Sequence, residues 1–295
     1  MVTAAILIST LTSNSEAQTA TLDVPYIAAG HARQKLDIYT PSEEQAKPDA
    51  GWPVMFWIHG GGWQTGDKSN VHLKPKVLCG RGMVFVSTNY RLLPEVTMQQ
   101  LTSDVAQSLA WTQKHISAYG GDPSRIVVAG HSAGAQLAAL MCIDHSWIRT
   151  AGGTAKSFIG CVPVDGDTYD IPKIIATAEL RAALYGFGQP TFGHRQKFGN
   201  DPRLHTRFSA VNHIETNKAM IPPFLTLYFS GNPETLAQAR RLDEALKAAG
   251  VSSQRFGKAA TNHRQLNADL GNQDDEVTER FFAFLDRVLA AEKSR

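Results

Sequence analysis

From residue 34 onward, short apolar runs of strand length alternate with longer stretches of helical spacing. Residues 34–39 alternate polar and apolar side chains, the pattern of a half-buried edge strand. Residues 54–58, 83–88, 125–129, 158–164 and 224–229 are continuous β-rich apolar runs, as expected of strands covered on both faces. A further strand-like run covers 251–256. Between these runs, 98–119 carries Leu101, Val105, Leu109 and Ile116 at near-helical spacing, and 133–142 is apolar on most sides. Pro233 opens a helix that Gly250 closes, and the last helix, near 275–291, gathers Val277, Phe281, Phe284, Leu285 and Val288 on one face. Strands alternating with helices in this way predict an α/β fold, with a mostly parallel central sheet of about eight strands flanked by helices.

The segment from about 167 to 221 breaks the rhythm. It is rich in Gly, Pro, His and aromatic residues, among them Tyr169, Tyr185, Phe187, Phe192, Phe198 and Phe208. A long insertion inside such a domain is usually functional, and we read it as a lid or wall over the site within a single domain of residues 20–295. Residues 1–19 are set apart, as an export-signal remnant or a disordered terminus. Residues 4–11 are apolar and Ser15-Glu16-Ala17 offers small residues for cleavage, but no Lys or Arg precedes them. A true signal would place the protein in the periplasm or outside the cell, its absence in the cytoplasm.

Composition narrows the function. The 295 residues are 43% hydrophobic and 19% charged, and 29 Lys and Arg against 27 Asp and Glu leave a formal charge of +2. With no concentrated basic face, nucleic acid is not an expected partner. No later run reaches the roughly 18 apolar residues of a membrane span. The three cysteines, Cys79, Cys142 and Cys161, are too scattered for a disulfide framework or metal cluster; Cys142 and Cys161 fall in apolar patterns and read as buried hydrophobes. No spacing of His, Asp and Cys suggests a metal site, and no cofactor is expected.

Two motifs carry chemistry. Gly130-His131-Ser132-Ala133-Gly134 lies between a predicted strand and a predicted helix, the context of a G-x-S-x-G nucleophile elbow. The tight turn would strain Ser132 and hold its hydroxyl out at the carboxyl edge of the sheet, near a helix N-terminus. His59-Gly60-Gly61-Gly62-Trp63 follows the strand-like run at 54–58. Acyl transfer needs preorganised N–H donors for its oxyanion. Gly61, Gly62 and Ala133 are the candidate donors, His59 a loop brace, and Trp63 and His131 candidate pocket residues.

Ser132 needs a base. His131 points away from its neighbour in the elbow, whereas His263 lies in a polar loop after the final strand, in the expected Ser–acid–His order. For the acid, Glu234 follows the strand at 224–229 and is the first choice; Asp165, at the end of the strand at 158–164, is the alternative. Asp104, Asp122 and Arg91 read as structural.

With these motifs in this order, the chain resembles the hormone-sensitive-lipase-like, HGGGW-type carboxylesterases of the α/β-hydrolase superfamily, over about residues 34–289. The resemblance rests on both glycine motifs together with Asn89-Tyr90-Arg91-Leu92, Gly121-Asp122-Pro123-Ser124-Arg125-Ile126 and Asn262-His263. It implies a cofactor-free serine carboxylesterase acting on small-molecule esters, with Ser132, His263, a carboxylate near Glu234, and oxyanion donors Gly61, Gly62 and Ala133. The family carries Asp at the acid position where this chain offers Glu234. The same motif serves acetyl-xylan, feruloyl and small-acyl esterases and formamidases. An amidase or formamidase would be favoured if Arg181, Arg195 or His194 formed an anion site. A ligand-binding protein on a hydrolase fold is the remaining alternative.

Overall fold

In a computed structural model of the protein, which describes residues 18–186 and 193–292, eight strands form one sheet. They are β1 (Gln18–Pro25), β2 (Lys35–Pro41), β3 (Trp52–Ile58), β4 (Val84–Thr88), β5 (Gly121–His131), β6 (Phe158–Val164), β7 (Phe224–Phe229) and β8 (Ser253–Lys258). The spatial order is β1-β2-β4-β3-β5-β6-β7-β8, antiparallel across β1/β2 and β2/β4 and parallel from β4 to β8. The helices are α1 (Lys74–Gly80), α2 (Met98–His115), α3 (Ala133–Ile143), α4 (Ser146–Thr150), α5 (Ile171–Tyr185), α6 (His194–Phe198), α7 (Pro202–Phe208), α8 (Ile214–Asn217), α9 (Pro233–Ala248), α10 (His263–Asp269) and α11 (Glu276–Glu292).

The run expected to form an edge strand is instead the second strand in. β1, whose polar sequence gives no apolar signal, pairs outside it and begins at Gln18, inside the segment set apart in the sequence. Residues 1–17, the rest of that possible signal, and 187–192 of the insertion, with Phe187 and Phe192, lie outside the described residues.

β3 and β6 are buried along their whole length, as continuous apolar strands must be between two helical layers. One core packs α2 and α3 against one face, around Phe56, Val128 and Leu137. The other packs α1 and α11 against the opposite face, around Trp57, Phe85 and Phe284. Burying each such side chain is worth about 1.5–3 kcal/mol. Because the buried aliphatic residues cover every side of α3, it can only lie within the core. Cys79, Cys142 and Cys161 are buried free thiols. Among the described residues no helix is long and apolar enough to cross a membrane.

Register positions the site. Ile58 of β3 pairs with Gly130 of β5, and His131 pairs with Val164 of β6. The carboxyl ends of three adjacent parallel strands are therefore level, and the loops leaving them meet at one place. Between β6 and β7 the insertion folds as α5 to α8 with short 3-10 turns. Its Tyr169, Phe198 and Phe208 are buried in the core.

Candidate active site

Ser132 sits between β5 and α3 with φ 58° and ψ −118°, a conformation that costs a non-glycine residue about 1–3 kcal/mol. Its amide donates to the Val164 oxygen at 2.9 Å, which ties the turn to the next strand. The turn closes only because Gly130 and Gly134 flank it. A Cβ on Gly134 would lie 2.1 Å from the Ile58 oxygen, and one on Gly130 2.4 Å from the Gly134 oxygen. These are backbone atoms that no rotamer change can move.

The glycine turn after β3 presses against this elbow: a Cβ on Gly60 would lie 2.8 Å from the His131 oxygen and 3.0 Å from the Ser132 Cβ. Gly61 has φ 114° and Gly62 φ 58°. Among the described residues, the amides of Gly61, Gly62 and Ala133 donate to no protein acceptor. His59 braces the turn from beneath. It is buried, stacks on Tyr90 at 4.3 Å, and donates from Nδ1 to the Gly60 oxygen at 2.7 Å, while the Arg33 guanidinium donates to its Nε2 at 3.2 Å. Burial, with a smaller contribution from Arg33, lowers its pKa to about 4, which keeps the ring neutral as this donor pattern requires. Tyr90 Oη donates to the His59 oxygen at 2.9 Å.

His263 opens α10 behind Asn262, whose side chain caps the helix by accepting from the Arg264 and Gln265 amides. Its Nε2 lies 3.0 Å from Ser132 Oγ, and its Nδ1 lies 2.7 Å from Asp165 Oδ2. The Asp165 carboxylate is fully enclosed, and its other oxygen accepts from the Phe229 amide at 2.7 Å. The carboxylate at the histidine is therefore Asp165, the alternative, and Glu234, the first choice, is elsewhere. Glu234 lies in the first turn of α9, and its carboxylate accepts from Arg181 of α5 at 2.7 Å. α9 starts against the insertion, which turns Glu234 away from α10. The β6 end, beside β5, brings Asp165 to His263 instead.

His131 does not reach Ser132 Oγ. Its Nε2 donates to the His263 backbone oxygen at 3.0 Å, and the two rings lie 4.5 Å apart. Trp63 is buried; its Nε1 donates to Gln136 of α3 at 3.2 Å, and its ring meets His194 and Phe198 of α6 edge-on. Gln136 in turn donates to the Phe208 oxygen at 3.0 Å. Glycine turn, elbow helix and insertion are thus locked together through one tryptophan and one glutamine. Arg91 pairs with Asp104, and Asp122 with Arg125, as structural residues do.

Two charged residues that sequence reasoning passed over also border the site. Asp167 accepts from Thr168 Oγ1, onto which His194 Nε2 donates at 3.0 Å. Lys197 Nζ lies 5.4 Å from the centre of the Trp63 ring and would be 3.3 Å from a Cβ on Gly62. Asp167, two residues past Asp165, was visible as the second carboxylate of Asp165-Gly166-Asp167. Lys197 had no signal, since the turn it approaches lies 135 positions earlier in the chain. Among the described residues no three His, Cys, Asp or Glu side chains converge on a possible metal position.

Residues 35–147 match the Carboxylesterase family. Esterase LipQ of Mycobacterium tuberculosis is 26% identical over 90% of this chain and 62% of its own length. The probable carboxylic ester hydrolase LipM of the same organism is 38% identical over 70% of this chain and 46% of its own. Isoprenylcysteine alpha-carbonyl methylesterase ICME of Arabidopsis thaliana is 34% identical over 79% and 54%. The chain thus spans about half to three-fifths of these relatives. Esterase B from Lactobacillus rhamnosis superposes with a TM-score of 0.73 at 22% identity, covering 95% of this chain and 87% of that one. Thermogutta terrifontis esterase 2 superposes with 0.65 at 20% identity, covering 93% and 94%. The mostly parallel eight-stranded sheet with flanking helices is the α/β-hydrolase fold, which these solved structures share.

Proposed function

We propose that this α/β-hydrolase chain is a serine carboxylesterase in which Ser132 carries the acyl group, His263 is the base and Asp165 orients it. The observation that carries this reading is the unbroken line from Ser132 Oγ through the His263 ring to a buried carboxylate, at 3.0 and 2.7 Å. Asp165 accepts from Nδ1–H, which leaves Nε2 as a bare acceptor facing the serine hydroxyl and stabilises the imidazolium once formed.

Ser132 Oγ attacks the ester carbonyl as its proton passes to His263 Nε2. The oxyanion settles on the amides of Gly61, Gly62 and Ala133, the last at the N-terminus of α3, where the helix dipole adds to the donors. His263 then returns the proton to the leaving alcohol, and water repeats the sequence on the acyl-enzyme. Helix α6 walls the site, its Phe198 packing edge-on against Trp63. The esterase names of the relatives agree with ester substrates. The side chains that would have favoured a formamidase are engaged within the protein: Arg181 with Glu234, Arg195 with Glu179, and His194 with Thr168.

The test is hydrolysis of p-nitrophenyl acetate by the wild type and by Ser132→Ala. Turnover lost with the serine hydroxyl supports the reading; equal turnover in both, or none in the wild type across a panel of esters, refutes it.

A further inference from the structure

The glycine turn offers two amides of its own, and they are held in different ways. The Gly61 carbonyl shares its peptide unit with the Gly62 amide. It accepts from the amides of Gln64 and Thr65 at 3.1 and 3.0 Å, and from Thr65 Oγ1 at 3.1 Å. The turn therefore orients the Gly62 N–H through its own local bonds. The Gly60 carbonyl shares its peptide unit with the Gly61 amide, and among the described residues it accepts from no backbone N–H. Its donor is His59 Nδ1, at 2.7 Å.

His59 is held from its other side by Arg33, in the connection between β1 and β2. One terminal nitrogen of the guanidinium, Nη2, faces three acceptors: His59 Nε2 at 3.2 Å, the Gly66 oxygen at 2.8 Å and Asn89 Oδ1 at 3.1 Å. Nε donates to the Tyr90 oxygen at 2.9 Å, and Nη1 lies 3.8 Å from Asp67. Arg33 thus ties the histidine before the glycines to the far end of the same loop. Gly66 lies so close that a Cβ there would be 2.2 Å from the Gly60 oxygen and 2.5 Å from His59 Nδ1. A guanidinium can only donate and a carbonyl can only accept, so the ring accepts at Nε2 and donates at Nδ1. The bonds from Arg33 to His59 and from His59 to Gly60 then run in one direction and end at the Gly61 N–H. In such a chain each bond polarises the next donor.

Resting on the esterase reading above, we propose that Arg33 is a positioning residue for the reaction, acting through His59 to aim and polarise the Gly61 amide toward the oxyanion. Its effect falls on the transition state, where the negative charge has formed, and hardly on the bound ester.

A boronic acid tests this. Ser132 Oγ adds to the boron of butylboronic acid as its proton passes to His263, and the tetrahedral anion places an oxygen where the oxyanion forms. Its Ki is read from inhibition and so reports folded molecules alone. Arg33→Met should raise that Ki about tenfold or more and lower kcat on a soluble ester by a similar factor, with KM within about threefold. Arg81→Met, which removes the exposed partner of Asp286, should change neither. His59→Asn keeps an N–H near the Nδ1 position and removes Nε2, which uncouples Arg33 from the Gly60 carbonyl. In that background Arg33→Met should raise the Ki no more than about twofold. An unchanged Ki in Arg33→Met, or the same loss in both backgrounds, overturns the proposal while the esterase reading stands. Hydrolysis that survives Ser132→Ala overturns the esterase reading, and the role of Arg33 with it.

Discussion

His131 Nε2 donates to the backbone oxygen of His263 at 3.0 Å, so the residue before the proposed nucleophile holds the proposed base. Burial, and the neighbouring His263 ring, lower the His131 pKa to about 3, and the neutral ring keeps its single N–H for that carbonyl. A positioning role follows: the bond fixes the first turn of α10 and with it the approach of His263 to Ser132. His131→Phe keeps a ring against His263 but removes the donor. We expect kcat to fall about tenfold with KM within about twofold, since small misplacements of a catalytic group cost this much or more. Steady-state kinetics on a soluble ester decides it. Unchanged kcat would assign the bond to packing alone.

The two carboxylates make a sharper pair. Asp165→Asn leaves an amide against His263 Nδ1 and favours the wrong tautomer, so kcat should fall roughly ten-thousand-fold. Glu234→Gln breaks only the partly exposed contact to Arg181 and should leave kcat within about twofold. The reverse ranking in the same assay would return Glu234 to the triad and remove Asp165.

The contrast between these residues marks where the sequence was legible. Strand β6, the elbow and the glycine turn were readable because each is a local pattern: an apolar run, then glycines where backbones must touch. The acid was not, because the choice between Asp165 and Glu234 depends on how far each strand end lies from α10. That distance is set by the lateral order of β5, β6 and β7 and by the packing of α9 against α5. β1 was missed for a related reason. Its polar residues are ordered by pairing with β2, and periodicity reports burial rather than pairing. The brace of Arg33 on His59 spans 26 positions and leaves no trace in either neighbourhood.

Gly134 and Gly80 should respond oppositely to alanine. At Gly134 the added methyl meets the Ile58 and His59 oxygens at 2.1 and 2.6 Å, so β3 and α3 must separate. We expect a loss of about 2 kcal/mol or more and a coincident loss of activity. Gly80 ends α1 with nothing within 4 Å of a new Cβ, so alanine there should add up to about 0.5–1 kcal/mol. Urea midpoints of the two variants measure both. A tolerated Gly134→Ala would contradict the close contact between elbow and β3.

Lys74 offers a test by pH. It is 1% exposed, its Nζ lies over the Trp57 ring at 4.7 Å, and it donates to the Asn267 oxygen of α10 at 2.6 Å. Burial lowers its pKa from the ordinary 10.5 to about 7. The folded protein then binds fewer protons at this site than the unfolded chain between about pH 7 and 10.5, so its stability rises with pH across that window. Below pH 7 both states are protonated and the full cost of the buried charge remains. Lys74→Met removes the titration together with the hydrogen bond to Asn267, and the latter loss is nearly independent of pH. Wild type should therefore gain on the variant by about 1 kcal/mol per unit, at most 1.4, between pH 7 and 8.5, with a constant difference below pH 6. Urea unfolding of both proteins at pH 5.5, 7 and 8.5 reads the difference directly. A gap that stays level through 8.5 would mean that the Asn267 carbonyl and the Trp57 face keep the ammonium charged. Lys74 would then hold α10 as a permanent cation, with no pH dependence of its own.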